Sequence, residues 1–381
     1  MLNTVLAPGP DLDSMVAVQL QQTSQALNST AVDGPVTLSL YPWVRHTLTL
    51  ANAYAIYGPE NIFARHPELE RHFWDFEDGM LGIVLDLWPS ITARKAYYAR
   101  LKVLDGLHRY VLEKRYKNAS VLIQRRIRTN LSYGLSKRMV GHGELILLFG
   151  ILGNAVPTTF WVVANIFSRP ALVKQLREEL EDALELKYTA YDQKETVKAI
   201  SANTVRTCPR LYSACRESLR TIANLTSARY VLSDTFLANK YFLRKGSVVQ
   251  IASGSLHKDA DIWGSDAETF NAERFLTDPL SHSQKREAAP VPKGVPSAAF
   301  RAFGGGNVLC PGRHFAQTEI MCFTALLLLS FEITDADGAP LKLPAKDDTR
   351  IPLSVMKPVG DPQIKIHRRD CSKNSRWVLT L

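Results

Sequence analysis

The stretch from Leu145 to Ser168 contains no charged residue, and it restricts how this chain can fold more than any other feature. As a helix it is long enough to cross a bilayer, so the chain must place it either in lipid or inside a protein core. Asn154, Pro157 and Asn165 lie within it, and polar groups at mid-span are costly in lipid but tolerated in a core that bonds them. We therefore predict a buried central helix, with a membrane span as the alternative.

The chain is large enough to surround such a helix. It has 381 residues, of which 46% are hydrophobic and 22% are charged, and these values exclude a disordered, collagen-like or coiled-coil protein. Five cysteines in so long a chain cannot form a disulfide framework, so we expect a reducing compartment. Helical patterns dominate and strand-like pieces gather in the C-terminal half, which predicts a mainly α fold with a minor β region.

The net charge is +9, and part of it is concentrated between Lys114 and Arg138, where no Asp or Glu occurs. The surrounding pattern predicts one long basic amphipathic helix over residues 105–133. A nucleic-acid patch is one interpretation. Apolar residues interleave with the basic ones, so we favour a solvated helix face. Such a face could also dock an acidic protein or an anionic membrane surface.

The segment from Phe303 to Arg313 reads FGGGNVLCPGR and joins a glycine-rich loop to a cysteine. Three successive glycines allow positive φ angles and a close approach of the backbone to a flat ligand. Cys310 stands at the entrance of an apolar helix, where backbone N–H groups and the positive helix end favour a thiolate. A thiolate suits a soft or borderline metal, but no second Cys or His follows at metal-cluster spacing. The remaining ligands would have to come from a cofactor such as a porphyrin.

The spacing Phe303-x-x-Gly306-x-x-x-Cys310-x-Gly312 resembles the haem-binding signature of the cytochrome P-450 family. The resemblance implies that Cys310 is the axial ligand of the iron in haem b, or iron-protoporphyrin IX. It also implies that Phe303 packs near the sulfur and that Gly306 lets the backbone approach the haem. Gly312 completes the motif, and Arg229 joins the cofactor-binding set because it resembles a family position that pairs a haem propionate.

Two further segments resemble the family and follow its order along the chain. Glu217 and Arg220 match the family's Glu-x-x-Arg motif, although a surface ion pair would show the same pattern. Residues 270–275 resemble the Pro-Glu-Arg-Phe segment and contribute Arg274. The resemblance, which extends over about residues 41–369, implies that these three side chains form a buried network around the cysteine loop. A buried charge cluster persists only when every member is paired.

The apolar stretch departs from the family at its usual acid–threonine pair. With Trp161 as the anchor, that pair maps onto Gly153 and Asn154, so a carboxylate is absent there. Pro157 lacks an N–H, which frees the Gly153 carbonyl for water, and Asn154 can both donate and accept. We therefore expect Asn154 and Thr158 to line the oxygen side of the haem as catalytic residues. This variant resembles sterol-hydroxylase and prostacyclin-synthase branches of the family; a kinked core helix with one satisfied Asn is the alternative.

Other departures concern the haem surroundings and the N-terminus. Val308 stands where an Arg or His usually meets a propionate. Family members usually begin with an endoplasmic-reticulum membrane anchor, strands and several helices, which we expect this chain to lack, so the P-450-like fold would be incomplete at its N-terminus. On this interpretation residues 1–35 form an irregular segment, residues 36–381 form the haem-thiolate catalytic domain, and the protein is cytoplasmic or peripheral.

The predicted function is that of a haem-dependent monooxygenase. It would oxidise a bulky apolar substrate, such as a sterol, terpenoid or fungal secondary metabolite, with O2 and electrons from an NADPH–cytochrome P-450 reductase. No nucleic-acid partner is expected. Two alternatives stay open: a haem-thiolate isomerase or dehydratase that needs no reductase, and an inactive truncated relic that holds haem loosely or not at all.

Overall fold

The computed structural model describes residues 2–184, 188–190, 196–276, 291–347, 355–372 and 375–381, and helices dominate these ranges, as predicted. The first ten helices are α1 (Leu2–Val5), α2 (Pro10–Asn28), α3 (Leu40–Tyr57), α4 (Ile62–Arg65), α5 (Glu68–Asp78), α6 (Met80–Val84), α7 (Pro89–Thr92), α8 (Arg94–Leu112), α9 (Val121–Ser132) and α10 (Lys137–Phe167). They are followed by α11 (Pro170–Ala183), α12 (Ala202–Arg206), α13 (Pro209–Ile222), α14 (Ser253–Lys258), α15 (Ala260–Trp263) and α16 (Arg313–Ser330).

The strands within the described ranges are short and belong to small separate sheets. They are β1 (Val36–Ser39), β2 (Tyr188–Ala190), β3 (Thr196–Ser201), β4 (Thr226–Tyr230), β5 (Thr235–Leu237), β6 (Tyr241–Leu243), β7 (Val248–Ala252), β8 (Phe331–Asp335), β9 (Gln363–Arg368) and β10 (Ser375–Thr380). The sheet orders are β1–β9–β8, β10–β3–β2, β4–β7 and β5–β6, and each pair is antiparallel except the parallel pair β10–β3. Two described strands, β1 and β2, precede the midpoint of the chain and so lie outside the predicted C-terminal half; β1 joins the C-terminal strands by pairing with β9 through Val36 and Ile366.

The uncharged stretch forms most of α10, which runs through the middle of the molecule. Ser136 caps its start, because the serine Oγ accepts the Met139 N–H at 3.2 Å. The helix packs against α3, α8, α13 and α16. Of the described helices it alone is long and apolar enough to cross a membrane, but 67% of its most apolar window is buried within the protein. The prediction of a buried central helix therefore agrees with the structure.

The prediction of an irregular segment over residues 1–35 is wrong. Helix α2 buries Leu12, Met15, Val16 and Leu20, a spacing of three or four residues that places them on one helix face. This face packs against α3 and β10. The start signal was present in the sequence, since Pro10 occupies the first helical turn and acidic residues follow it.

The single basic helix predicted over residues 105–133 is also wrong, because it is two helices. Helix α8 ends at Leu112, and Lys114 then adopts a left-handed φ of 57° before the chain restarts as α9. Part of the basic charge is paired within the protein: Arg125 contacts Asp11 at 3.1 Å and Arg126 contacts Glu144 at 2.8 Å. Paired charge of this kind agrees with a solvated helix face better than with a nucleic-acid patch.

Candidate functional site

The glycine-rich segment folds as a tight loop that leads into α16. The Cys310 N–H donates to the Phe303 carbonyl at 2.9 Å, and the Gly304 N–H donates to the Arg301 carbonyl at 2.9 Å. Gly304 and Gly306 have φ angles of +76° and +65°, in the left-handed region that glycine adopts without steric penalty. The loop therefore requires glycine at these two positions in order to present Cys310 at the head of the helix.

The Cys310 sulfur lies half-buried at the start of α16, within reach of backbone donors. The backbone N–H groups of Gly312 and Arg313 and the positive charge of Arg313 act to lower the pKa of the thiol. Burial outweighs them and raises the pKa of Cys310 above its ordinary value of 9.0. The predicted donors are thus present, but without a bound metal they do not favour a thiolate. A coordinating metal ion deprotonates such a thiol.

The surroundings of the loop fit a porphyrin. A Cβ atom added to Gly306 would meet no atom within 4 Å, and Val308 is 62% exposed, so the backbone of the loop is open to an approaching ligand at these two positions. Val308 leaves an apolar side chain where a charge would otherwise stand. No group of three or more metal-donor side chains occurs among the described residues. A single thiolate would therefore need a ligand set that a macrocycle supplies, as haem does.

Phe303 and Gly312 flank Cys310 on the two sides of the motif. Phe303 is half-buried, and its carbonyl accepts the Cys310 N–H. A Cβ atom added to Gly312 would lie 3.8 Å from the Cys310 sulfur, a normal van der Waals distance. Glycine is thus not required at position 312 for space.

Helix α10 presents a stripe of residues at i, i+4 spacing. Ile146 is 75% exposed, Gly150 has no atom within 4 Å of an added Cβ, and Asn154 is half-buried. Thr158 is 2% exposed and its hydroxyl donates to the Asn154 carbonyl at 2.7 Å. Thr158 is therefore buried and bonded to the Asn154 backbone, and its predicted place on the oxygen side of the haem stays a prediction. Ile146 and Gly150 were missed, although their helical spacing from Asn154 was a readable signal.

Arg229 lies apart from this loop. It is exposed on β4, pairs with Val249 of β7, and its guanidinium donates to the Ala228 carbonyl at 2.8 Å. No hydrogen bond between described residues joins Arg229 to the loop that carries Cys310. Its predicted contact with a haem propionate stays a prediction.

The structure brings Glu217, Arg220 and Arg274 together in a buried cluster. Arg220 and Glu217 form two parallel bonds of 2.7 Å, from Nε to Oε2 and from Nη2 to Oε1. Arg274 Nε donates to the same Glu217 Oε1 at 3.0 Å and its guanidinium also contacts Asp266 at 2.9 Å. Glu217 is fully buried and Arg220 is 2% exposed, so this carboxylate and both guanidiniums satisfy one another away from water.

His257, to which sequence reasoning assigned no role, connects this cluster to the cysteine loop. Its carbonyl accepts a bond from Arg220, and its Nδ1 lies 3.1 Å from the Ala223 carbonyl. Its Nε2 accepts the Arg301 N–H at 2.9 Å. The Arg301 carbonyl in turn accepts the Gly304 N–H. A continuous path of hydrogen bonds thus runs from the buried cluster to the base of the loop.

Comparison with known proteins identifies the family. The family model for cytochrome P450 matches residues 88–360. The chain belongs to the cytochrome P450 family. It is 30% identical over 370 residues to "Cytochrome P450 monooxygenase nodJ" of Hypoxylon pulicicidum, covering 97% of this chain and 70% of the relative. The P450 resemblance and the mainly α P450 fold are therefore confirmed.

Other relatives include fungal and mammalian members of the P450 family. A "Cytochrome P450 monooxygenase" of Gibberella zeae is 30% identical over 369 residues, 94% of this chain and 68% of the relative. "Cytochrome P450 7A1" of Oryctolagus cuniculus is 28% identical over 298 residues, 77% of this chain and 58% of the relative. These matches establish this P450 as an oxidoreductase of the monooxygenase type, whose family binds haem through a thiolate, uses O2 and typically takes electrons from a redox partner.

Proposed function

We propose that this P450 uses haem b, with Cys310 as the axial ligand, to oxidise a bulky apolar substrate such as a sterol, terpenoid or secondary metabolite. The observation that carries the proposal is the half-buried Cys310 at the head of α16, presented by a loop whose Cys310 N–H donates to the Phe303 carbonyl and whose backbone is open at Gly306. Bound haem supplies the redox chemistry, in which electron donation from the thiolate favours O–O cleavage.

The loop residues would position the thiolate for this chemistry. The Cys310 N–H bond to the Phe303 carbonyl fixes the turn, and the N–H groups of Gly312 and Arg313 direct partial positive charge at the sulfur. Hydrogen bonds to a thiolate lower its electron donation and so tune the potential of the metal that it binds. Gly306 supports the proposal because it leaves room for a flat ligand above the loop.

Asn154 would hold and move protons on the α10 side of the pocket. Its carbonyl is engaged by the Thr158 hydroxyl, whereas its carboxamide carries both a donor and an acceptor. Pro157 cannot donate to the Gly153 carbonyl, which leaves that carbonyl available to a water. A water held between Gly153 and Asn154 would give an amide-based proton relay in place of an acid.

The substrate and redox partner are inferred from surface chemistry and relatives. The exposed Ile146 and the bare backbone at Gly150 give the α10 stripe an apolar character, which suits an apolar ligand. One relative is a "25-hydroxycholesterol 7-alpha-hydroxylase" of Rattus norvegicus, 26% identical over 302 residues. Burial, and after it the charges of Arg313 and Arg206, lower the pKa of His314 beside the loop. These two arginines near the loop would suit the docking of an acidic NADPH–cytochrome P450 reductase.

A reduced, CO-treated absorption spectrum tests the haem-thiolate proposal. We expect the Soret band of the purified protein to move to the long wavelength typical of thiolate ligation, and Cys310→Ala to abolish that band. Cys322→Ala is the matched control, since Cys322 is fully buried on α16 away from the loop, and it should retain the band. A wild-type spectrum without the shifted band would refute the proposal and favour an inactive relic.

The lack of a carboxylate beside Gly153 also suits a haem-thiolate isomerase or dehydratase, which needs no external electrons. The two reactions differ in what they consume. A monooxygenase requires NADPH, reductase and O2 and gives a hydroxylated product, whereas the isomerase converts a peroxide without any of them. Turnover of a peroxide substrate in the absence of NADPH would replace the proposed reaction with this second one.

A further inference from the structure

Two buried polar side chains on different helices meet where α3 contacts α16. Asn52 of α3 is fully buried and Glu319 of α16 is 2% exposed. The Asn52 side-chain N–H donates to Glu319 Oε1, with nitrogen and oxygen 2.8 Å apart. The other oxygen of each group, Glu319 Oε2 and Asn52 Oδ1, has no hydrogen-bond partner in the described part of the chain. When Glu319 is ionised, both of these atoms are acceptors that lack a donor.

A single proton on Glu319 would give both of these oxygen atoms a hydrogen-bond partner. A buried acceptor without a partner destabilises the folded state, and an ionised carboxylate without a cation does so more strongly. A proton on Glu319 Oε2 converts that atom into a donor, and Asn52 Oδ1 is the free acceptor on the amide that already bonds the other oxygen. A carboxylic acid and a primary amide then form a ring closed by two hydrogen bonds.

The electrostatic surroundings favour the neutral acid. Burial raises the pKa of Glu319 to about 8, opposed by the Asn52 hydrogen bond. The thiol of Cys322, three residues further along α16, is neutral because burial raises its pKa to about 12. Many charged groups on helices that pack around this contact are engaged elsewhere: Asp11 with Arg125, Arg45 with Asp78, His46 with Glu70, Glu144 with Arg126, Arg177 with Glu332, Glu179 with the N–H groups of Arg210 and Leu211, and Glu217 with Arg220. Arg206 of α12 differs, since its charge reaches Cys322, but burial and the Asn52 hydrogen bond are the influences that act on Glu319 itself.

We propose that Glu319 is a neutral carboxylic acid at neutral pH, that its proton closes a ring with Asn52, and that this ring is a positioning contact for Cys310. Helix α16 begins at Arg313, just after Cys310, and Glu319 lies about 9 Å further along its axis. One turn beyond, Trp43 of α3 contacts Phe323 with ring centroids 6.0 Å apart. The ring therefore fixes the position of α16 along its axis relative to α3. Its effect on the thiolate rests on the proposed haem site, whereas the protonation of Glu319 does not.

Infrared difference spectroscopy on the protein without added haem tests the protonation. The wild-type minus Glu319→Gln spectrum should contain the C=O band of a protonated carboxyl at neutral pH, and this band should titrate away with a midpoint of about 8. Glu268→Gln, at an exposed position, is the matched control and should leave the band in place. If the wild-type minus Glu319→Gln spectrum lacks the band of a protonated carboxyl at neutral pH, the proposal is wrong, whether or not haem binds.

The pH dependence of the haem-loaded protein tests the positioning role. Between pH of about 7 and about 9.5, the wild type should lose its thiolate CO signature and at least about 2 °C of Tm relative to Glu319→Gln. The Gln variant keeps a neutral partner for Asn52 and should retain both. Equal losses in the two proteins would overturn the positioning role. A wild type that binds no haem refutes the proposed function while the infrared result stands by itself.

Discussion

His257 accepts the backbone N–H of Arg301 at its Nε2, with the two nitrogens 2.9 Å apart, while its Nδ1 lies 3.1 Å from the Ala223 carbonyl. Both ring nitrogens are thus committed to the backbone, one as acceptor and one as donor, which defines a neutral tautomer. A proton added to Nε2 would remove the acceptor that holds Arg301. Since Arg301 is where the cysteine loop begins, the charge state of His257 bears directly on the loop.

The first prediction concerns acid stability. Burial is the largest cause that holds the pKa of His257 at about 4, below its ordinary 6.5. As the pH falls, His257 is protonated in the unfolded chain before it is protonated in the folded protein. The free energy of unfolding should therefore fall as pH drops from 6.5 towards 4, by about 3 kcal/mol in all. Urea unfolding at neutral and acidic pH checks this. His257→Gln should show a smaller acid loss, and His66→Gln, at a partly exposed site, should match the wild type; identical losses in all three would contradict the prediction.

The second prediction concerns the buried charge cluster. Glu217→Gln keeps the shape of the side chain but leaves Arg220 without its carboxylate, and we expect it to lower the free energy of unfolding by about 3–5 kcal/mol. Arg210 and Glu273 form an exposed pair at 3.0 Å, so Glu273→Gln should change stability by less than about 1 kcal/mol. Chemical denaturation of both variants measures the difference. Equal, small effects would show that the cluster does not stabilise the fold.

The third prediction separates backbone strain from haem contact. Gly306 and Gly338 both have positive φ angles, +65° and +87°, and neither would place a Cβ against another atom. Replacing either by alanine should cost about 1–2 kcal/mol of folding stability because alanine disfavours this region. Only Gly306→Ala should also reduce haem content, measured as haem absorbance per protein. Equal haem content in the two variants would argue against close approach at Gly306.

The fourth prediction concerns proton delivery by Asn154. Asn154→Leu removes both the donor and the acceptor and should lower product formation by about 100-fold or more, while the CO spectrum stays that of the wild type. Asn154→Asp keeps a polar group and should retain more activity. The yield of product per NADPH consumed is the decisive measurement. Unchanged yield in the Leu variant would remove Asn154 from the mechanism and leave the alternative of a satisfied core residue.

Features set by residues close together in the chain were predictable. The loop from Phe303 to Gly312 and the pair Glu217 and Arg220 are spaced by local geometry, so their residue types report directly on turns and helix faces. The buried α10 followed from one uncharged stretch. The start of α2 carried equally local signals at Pro10, and its omission was an error of reading rather than a limit of the sequence.

Tertiary structure alone decided which distant side chains meet. Asn52 and Glu319 are 267 residues apart, and His257 and Arg301 are 44 apart; local patterns carry no information about such pairs. Burial likewise depends on every element that surrounds a group. That is why the sequence could nominate Cys310 as a thiolate, whereas only the folded environment shows its pKa raised by desolvation and Glu319 left without a cation.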